Sequence, residues 1–332
     1  MLKPVRRKRR FLPLIGLTLL VAVNAALVAL LLRSQLPVTV EPVSQPPFDS
    51  TSPTTSANTS PAPGEPSSDS PTPSPSSTRT SKKKVDLTKV ERPTRLLFAA
   101  STRTAWRATA GDCQTQGRLE RSSNGGKSWQ QVAKPALGPI VRLGAESDDN
   151  LYVIGGTGKD CSAYYIHYSA DGSIAEQTGA PQGHWYADPT DPDEIQGPGP
   201  AKRRPCKGQH VLGLGSLSMS RALLICTDGS VMVTTNSGKS WKKADKFVGT
   251  IAVGSGGGRV WTAGKGKKCD GIAVRSFSLT SAGKLSHSSR CAPDIQLSPG
   301  RTAIDASGGA IWLWAGNEVQ VSTDGGRTWK SR

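Results

Sequence analysis

The chain is poor in the residues and motifs that most chemistry needs. It has four histidines, His167, His184, His210 and His287, and their scatter shows no metal-ligand spacing. Its six cysteines include no C-x-x-C pair, which excludes the usual zinc and thioredoxin-like patterns and favours disulfides. There is no G-x-S-x-G elbow and no phosphate-binding loop: GSGGG at Gly254 to Gly258 sits where a strand-to-strand turn is needed and leads into no helix. Acidic side chains are also short, 25 against 42 basic ones, for a net charge of +17. The excess is uneven, at +6 over residues 1–10, +2 over 11–95 and +9 over 96–332, so much of the high pI belongs to a basic head. A cofactor, a resident metal and nucleic acid are all unexpected, the last because the compartment inferred next does not hold it.

Only one long apolar run exists. Lys3, Arg6, Arg7, Lys8, Arg9 and Arg10 precede the uncharged stretch 11–32, which Arg33 closes. As a helix rising ~1.5 Å per residue it spans ~33 Å, enough for a bilayer core. The basic head puts the N-terminus in the cytoplasm and the rest outside. The run continues past Ala25 and Ala26, longer than an ordinary signal-peptide core, so it reads as an uncleaved signal-anchor helix, with cleavage near those alanines as the alternative. Residues 33–93 are rich in Pro, Ser and Thr with few large apolar side chains, a composition that cannot bury enough surface to fold and reads as a disordered stalk of ~45 Å or more.

Residues 94–332 carry a repeated octapeptide: SSNGGKSW at 122–129, TTNSGKSW at 234–241 and STDGGRTW at 322–329. Each position has a mechanical reading. An Asx side chain bonds the backbone ahead of it, glycine accepts positive φ, and the hydroxyls tie the loop to itself. Tryptophan then opens the next strand and buries a large ring against a neighbouring unit. The structural positions are Ser122, Asn124, Gly126 and Trp129, Thr234, Asn236, Gly238 and Trp241, and Ser322, Asp324, Gly326 and Trp329. These octapeptides resemble the Asp-box, or BNR, repeat of sialidase-like β-propellers. In its repeats the chain is also similar to the photosystem II assembly-factor-like group of extracytoplasmic propellers. The resemblance implies an all-β propeller, and it informs fold more than reaction.

Decayed copies near Ser169 and Thr280 bring the box starts to a period of roughly 45 residues once an insertion at about 181–209 is set aside. Each unit offers four short strand-like runs, giving about five four-stranded blades, or six if the insertion hides a degenerate one. With the box at the turn between third and fourth strands, all six cysteines fall at the opposite end of the blades. Pairing neighbouring loops joins Cys113 to Cys161, Cys206 to Cys226 and Cys269 to Cys291, one choice among the connectivities that six cysteines allow.

The insertion belongs to the same end and combines Trp185, Tyr186 and Asp188 with Lys202, Arg203 and Arg204. It reads either as a recognition loop, with Lys267 and Lys268 of a neighbouring unit beside it, or as a solvated, internally salt-bridged excursion. The prolines among Asp188, Asp191, Asp193 and Glu194 do not fit an EF-hand loop. A sialidase-like enzyme needs an arginine triad, a Tyr and Glu pair and an acidic partner, and many carry F/Y-R-I-P. Here the corresponding stretch is ERPTRLLF, and Arg142, Arg221, Arg275 and Arg301 are scattered. No catalytic residue is assigned. The expectation is a membrane-anchored, extracytoplasmic, non-catalytic module that binds a protein or an anionic cell-envelope polymer. The alternative is a sialidase-like glycoside hydrolase or carbohydrate-binding propeller.

Overall fold

The structure is a computed structural model that describes residues 90–332 apart from 133–135, 148–149, 170 and 179–180. The head at 1–10, the apolar run at 11–32 and nearly all of the stalk lie outside the described residues. No helix among the described residues is long and apolar enough to cross a membrane.

Among the described residues, twenty-three antiparallel strands form six sheets, each built from consecutive strands. Blade 1 holds β1 (Arg95–Ala99), β2 (Ala105–Thr109), β3 (Arg118–Ser122) and β4 (Gln130–Gln131), and blade 2 holds β5 (Ile140–Ser147), β6 (Asn150–Thr157), β7 (Ser162–Tyr168) and β8 (Ile174–Thr178). Blade 3 is the small sheet of β9 (Tyr186–Ala187), β10 (Ile195–Gln196) and β11 (Lys202–Arg203). Blade 4 contains β12 (Val211–Ser216), β13 (Ala222–Cys226), β14 (Ser230–Thr234) and β15 (Lys242–Lys246). Blade 5 contains β16 (Thr250–Gly256), β17 (Arg259–Gly266), β18 (Cys269–Leu279) and β19 (Leu285–Ala292), and blade 6 β20 (Thr302–Ser307), β21 (Ala310–Ala315), β22 (Glu318–Ser322) and β23 (Lys330–Ser331).

The all-β propeller stands, and of the two blade counts left open, about five or six with a degenerate blade in the insertion, the structure has six. The insertion is a blade of its own. It escaped the strand pattern because its three strands are two residues each, too short to show alternation. Its direction identifies its strands. Trp185, just before β9, donates Nε1–H to the Ser218 carbonyl in the β12–β13 turn, whereas Asp193, after β9, accepts from the Val211 amide at the start of β12. β9 therefore runs against β12, as a second strand does, and this sheet has no innermost strand among the described residues.

Six apolar clusters account for the ring, one at each seam between consecutive blades. Trp106 and Leu119 meet Leu151 and Ile166 between blades 1 and 2, and Tyr152, Ile154 and Tyr165 meet Tyr186 between 2 and 3. Trp185 and Ile195 meet Leu224 between 3 and 4, Leu223 and Ile225 meet Val260 and Phe277 between 4 and 5, and Ile272 and Val274 meet Ile304 and Leu313 between 5 and 6. The sixth joins Trp312 and Trp314 to Leu97 and Ala105, closing blade 6 on blade 1. A single blade exposes both faces, and stacking around the ring covers them. The innermost strands crowd the axis: a Cβ at Gly254 would lie inside the van der Waals envelope of the Ile304 carbonyl, a close approach of β16 to β20 that only glycine permits.

The octapeptides close the β3–β4, β14–β15 and β22–β23 turns. In each, the first hydroxyl accepts the amide of the fifth residue: Ser122 from Gly126 at 2.9 Å, Thr234 from Gly238 at 3.2 Å and Ser322 from Gly326 at 2.8 Å. Asn124, Asn236 and Asp324 in turn accept the amides of Ser128, Ser240 and Thr328. The Thr328 hydroxyl and amide hold the exposed Asp324 carboxyl well below the usual carboxylate range. Gly126, Gly238 and Gly326 have φ of 88°, 81° and 86°, and each abuts the preceding blade, at Trp312, Trp185 and Arg290. The closing tryptophans follow the same rule: Trp129 meets Trp312 edge-on at 6.3 Å, Trp241 meets Trp185 at 5.9 Å, and Trp329 packs on the blade 5 and 6 cluster.

Trp312 is the most connected of these rings, fully buried, with Nε1–H donated to the Ser101 carbonyl of blade 1. Trp312→Ala is expected to lower unfolding free energy by ~3–5 kcal/mol. Urea denaturation checks this, and a loss near zero would show that closure does not depend on the indole.

Candidate binding face

The two ends of the blades differ in construction. At one end the octapeptide turns bond back to the first hairpins of their own blades, as Gly125 does to the Arg103 carbonyl and Ser237 to the Ser220 carbonyl. At the other end the turn between second and third strands meets the connection between blades, as in Gly117 to Leu137 and Phe247 to Gly229. All three disulfides lie at this second end. Cys113–Cys161 ties blade 1 to blade 2, Cys206–Cys226 ties the exit of blade 3 to β13, and Cys269–Cys291 links β18 to β19, with Cα separations of 5.4, 5.7 and 5.5 Å. No described cysteine is free.

Two concavities open near this construction. The first is the axial cavity, of about 310 Å³, lined by β1, β5, β12, β16 and β20 and by Tyr186 and Ala187 of β9. It holds three arginines, and each is already committed. Arg92 donates to the Val211 carbonyl at 2.9 Å and pairs with Asp193 at 2.6 Å. Arg95 donates to the carbonyls of Arg301 and Gly316 and stacks on Trp314 at 4.1 Å. Burial pushes the guanidinium pKa of both below its usual value. Arg142 crosses the ring to Ser216 at 2.6 Å and Ser255 at 3.2 Å, bracing β5 against β12 and β16 beside blade 3.

Asp305 also lines this cavity, on β20. It is 2% exposed, and its Oδ2 accepts the Ala99 amide of β1 at 2.9 Å. Burial raises its pKa to about 7, against the opposing pull of the Ala99 amide and of Arg142. Sequence reasoning passed over this residue, although an acidic side chain inside TAIDAS is a visible anomaly in a strand whose other residues are apolar or small.

The second concavity is a groove between the outer strands of blades 3 and 4, with a volume of about 520 Å³. Several insertion residues read as recognition groups border it or lie behind it, and the structure distributes them unevenly. Trp185 is 4% exposed and belongs to the blade 3 and 4 core, so it is not available to a partner. Tyr186 is buried at the axial cavity, and burial raises its phenol pKa. Asp188 opposes burial with bonds from Lys202 at 2.6 Å and from Thr190, which hold its carboxyl below the usual value. Lys202 also reaches Glu194 at 3.1 Å, and Arg204 pairs with Asp191. The acidic half of the insertion thus neutralises Lys202 and Arg204 and anchors Arg92.

What is left over is cationic. Arg203 is exposed and donates only to backbone carbonyls, at Lys239 and Lys202. Lys207 is exposed beside it, and Lys267 and Lys268 are exposed on the β17–β18 turn. None of these four has an ion pair among the described residues. Lys267 and Lys268 sit on blade 5, with blade 4 between them and the insertion, and no described bond joins them to blade 3. Arg221, Arg275 and Arg301 go to separate partners, the Leu279 carbonyl, the Lys265 carbonyl and Asn317, so they do not assemble with Arg142. Among the described residues no cluster of three or more His, Cys, Asp or Glu is placed to hold a metal ion.

No family model matches the chain, and no curated protein matches it. Solved structures similar to it share low identity. A putative 6-phosphogluconolactonase from Bacteroides fragilis is 13% identical over 73% of this chain and 83% of its own, with a TM-score of 0.39. YCF48 from Cyanidioschyzon merolae is 15% identical over 69% of each chain, with a TM-score of 0.30. A GH74 xyloglucanase from Xanthomonas campestris is 16% identical over 71% of this chain and 38% of its own, with a TM-score of 0.26. The six sheets and six seams carry the fold assignment here. Likeness at this level leaves enzyme and non-enzyme propellers undistinguished.

The Asp305 carboxyl makes a pH prediction with a definite sign. An unfolded aspartate ionises near its ordinary 3.8, so between about pH 4 and pH 7 the folded chain holds a proton that the unfolded chain has released. Stability from this group is complete below that window and is lost as pH rises through about 7, by at most roughly 4 kcal/mol. Asp305→Asn keeps an acceptor for the Ala99 amide without the charge. It should match the wild type near pH 4 and exceed it at pH 8 in urea midpoint. Equal midpoints at both pH values would show that the carboxyl ionises freely.

Proposed function

We propose that this chain is an extracytoplasmic binding module, tethered to the membrane by residues 11–32, whose octapeptides are Asp-box repeats of the sialidase-like type. Its disulfide-pinned end engages a protein or an anionic polymer of the cell envelope. One observation carries this reading. The buried ionisable groups are tied up in bonds within and between blades, whereas Lys207, Lys267 and Lys268 stand exposed at the disulfide end, without an ion pair among the described residues, on a scaffold whose loops are cross-linked. A rigid ring presenting unneutralised charge at one end suits recognition of an oppositely charged partner.

Two measurements test it. Iodoacetamide applied to unreduced, denatured protein from intact cells should label none of the six cysteines, as an oxidising compartment requires. Affinity capture from intact envelopes should return a partner whose recovery falls severalfold with Lys267→Glu and Lys268→Glu together and declines with salt. Free thiols would overturn the location. Turnover of fluorogenic glycosides, abolished by substitution of one Asp or Glu, would replace the binding module with a hydrolase.

A further inference from the structure

The groove between blades 3 and 4 has a composition that points beyond a generic basic surface. Pro205, Met232 and Trp241 line it with apolar surface, while Arg203, Lys207 and Lys243 supply charge at its margin. Lys243, like Arg203 and Lys207, is exposed and has no ion pair among the described residues. Trp241 is only partly buried, and its Nε1–H has no acceptor among the described residues. The acidic group present, Asp228, is occupied by Ser230 and by Lys246 at 3.3 Å. The site therefore offers apolar contact from the part of the indole left open and three uncompensated cations.

An extended peptide would enter such a place by adding a strand to the free edge of β15. The edge is unsuited to that. The pairing of β14 with β15 shifts register between Val231 and Met232, and all five residues of β15 are exposed, three of them lysines. Bulges and lysines are the devices that keep a sheet edge from recruiting another strand. A ligand that needs no backbone ladder, has flat C–H faces for the indole and carries regularly spaced anions meets the composition better.

From this we infer that the groove between β11 and β15 binds an anionic oligosaccharide, with sugar rings against Trp241 and carboxylates on Arg203, Lys207 and Lys243. The inference deepens the binding-module reading by giving one site and one ligand class, and it rests on that reading. Lys207 and Lys243 are exposed and hold no other element in place, so both can be neutralised without loosening a seam.

The test is calorimetric titration of the full-length protein in detergent micelles with hexagalacturonate, against maltohexaose and poly-L-glutamate. Hexagalacturonate should bind, the neutral hexamer should not, and poly-L-glutamate should bind more weakly. The Lys207→Gln, Lys243→Gln variant, with its urea midpoint unchanged, should lose affinity by about tenfold or more, since truncating charge partners in a desolvated contact raises dissociation. Absent hexagalacturonate binding, or binding indifferent to both substitutions, overturns the inference. Poly-L-glutamate binding as tightly as the uronate also overturns it, in favour of an acidic peptide. Envelope capture by the unsubstituted protein, with no hexagalacturonate binding to that same protein, would sink the groove and leave the wider reading standing.

Discussion

Everything in this fold depends on closing a ring whose sheets share no strands. Each blade takes its strands from one continuous stretch, 95–131 for the first and 302–331 for the last, so no strand of one end completes a sheet at the other. Closure is left to side chains, apart from the backbone bond that the Thr94 amide donates to the Gly300 carbonyl. Asp305 accepts the Ala99 amide, Ser307 bonds the Ala100 carbonyl, and Trp312 bonds the Ser101 carbonyl. Arg107 stacks over both Trp129 and Trp314, at 4.4 and 4.8 Å, joining two blades through one guanidinium. A seam made this way must be dry and closely fitted, since a buried polar group is stabilising only when its partner is present.

That requirement explains where the charged groups went. Arg92, Arg95, Arg142 and Asp305 would read as a functional constellation if seen alone at the axis of a propeller. Their bonds run from blade to blade, and the pKa values of Arg92, Arg95 and Asp305 are displaced by burial, as expected of groups serving the seams. Perturbed ionisation is a weak guide to function when structural networks perturb it too. The same logic bears on blade 3, which has no innermost strand among the described residues: Arg142 reaches to β12 and β16 beside that blade and helps brace the ring there.

The sequence made legible whatever repeats. A hydroxyl, an Asx, a glycine and a tryptophan recur because each turn solves two problems at once. It satisfies its own amides, and it lets a glycine and an indole lie against the preceding blade. What repetition does not mark was hidden. Blade 3 has no octapeptide, and its strands are too brief for alternation. Yet HWYA around Trp185 has the form of TAWRA around Trp106 and AIWLW around Trp312, a tryptophan opening a second strand against the next blade. Aligning the strand-opening tryptophans as well as the turns would have decided between five blades and six. It would also have marked Trp185 as a core residue. The ion pairs of the insertion were beyond reach, because which acid neutralises which base depends on how a short sheet folds its loops together.

The site follows from subtraction. A chain with an excess of 17 positive charges contains many cations, so a basic surface by itself distinguishes nothing. The structure removes those with partners: Lys202 and Arg204 against the insertion's own acids, Lys246 against Asp228, Arg107 and Arg118 against Glu120. What survives beside a concavity is Arg203, Lys207 and Lys243, next to the partly buried Trp241 indole. Charge left unneutralised by a fold that neutralises its neighbours, placed where apolar surface is also open, is a more selective criterion than either feature alone. It locates recognition in the crease where the degenerate blade meets a regular one, at the outer strands β11 and β15.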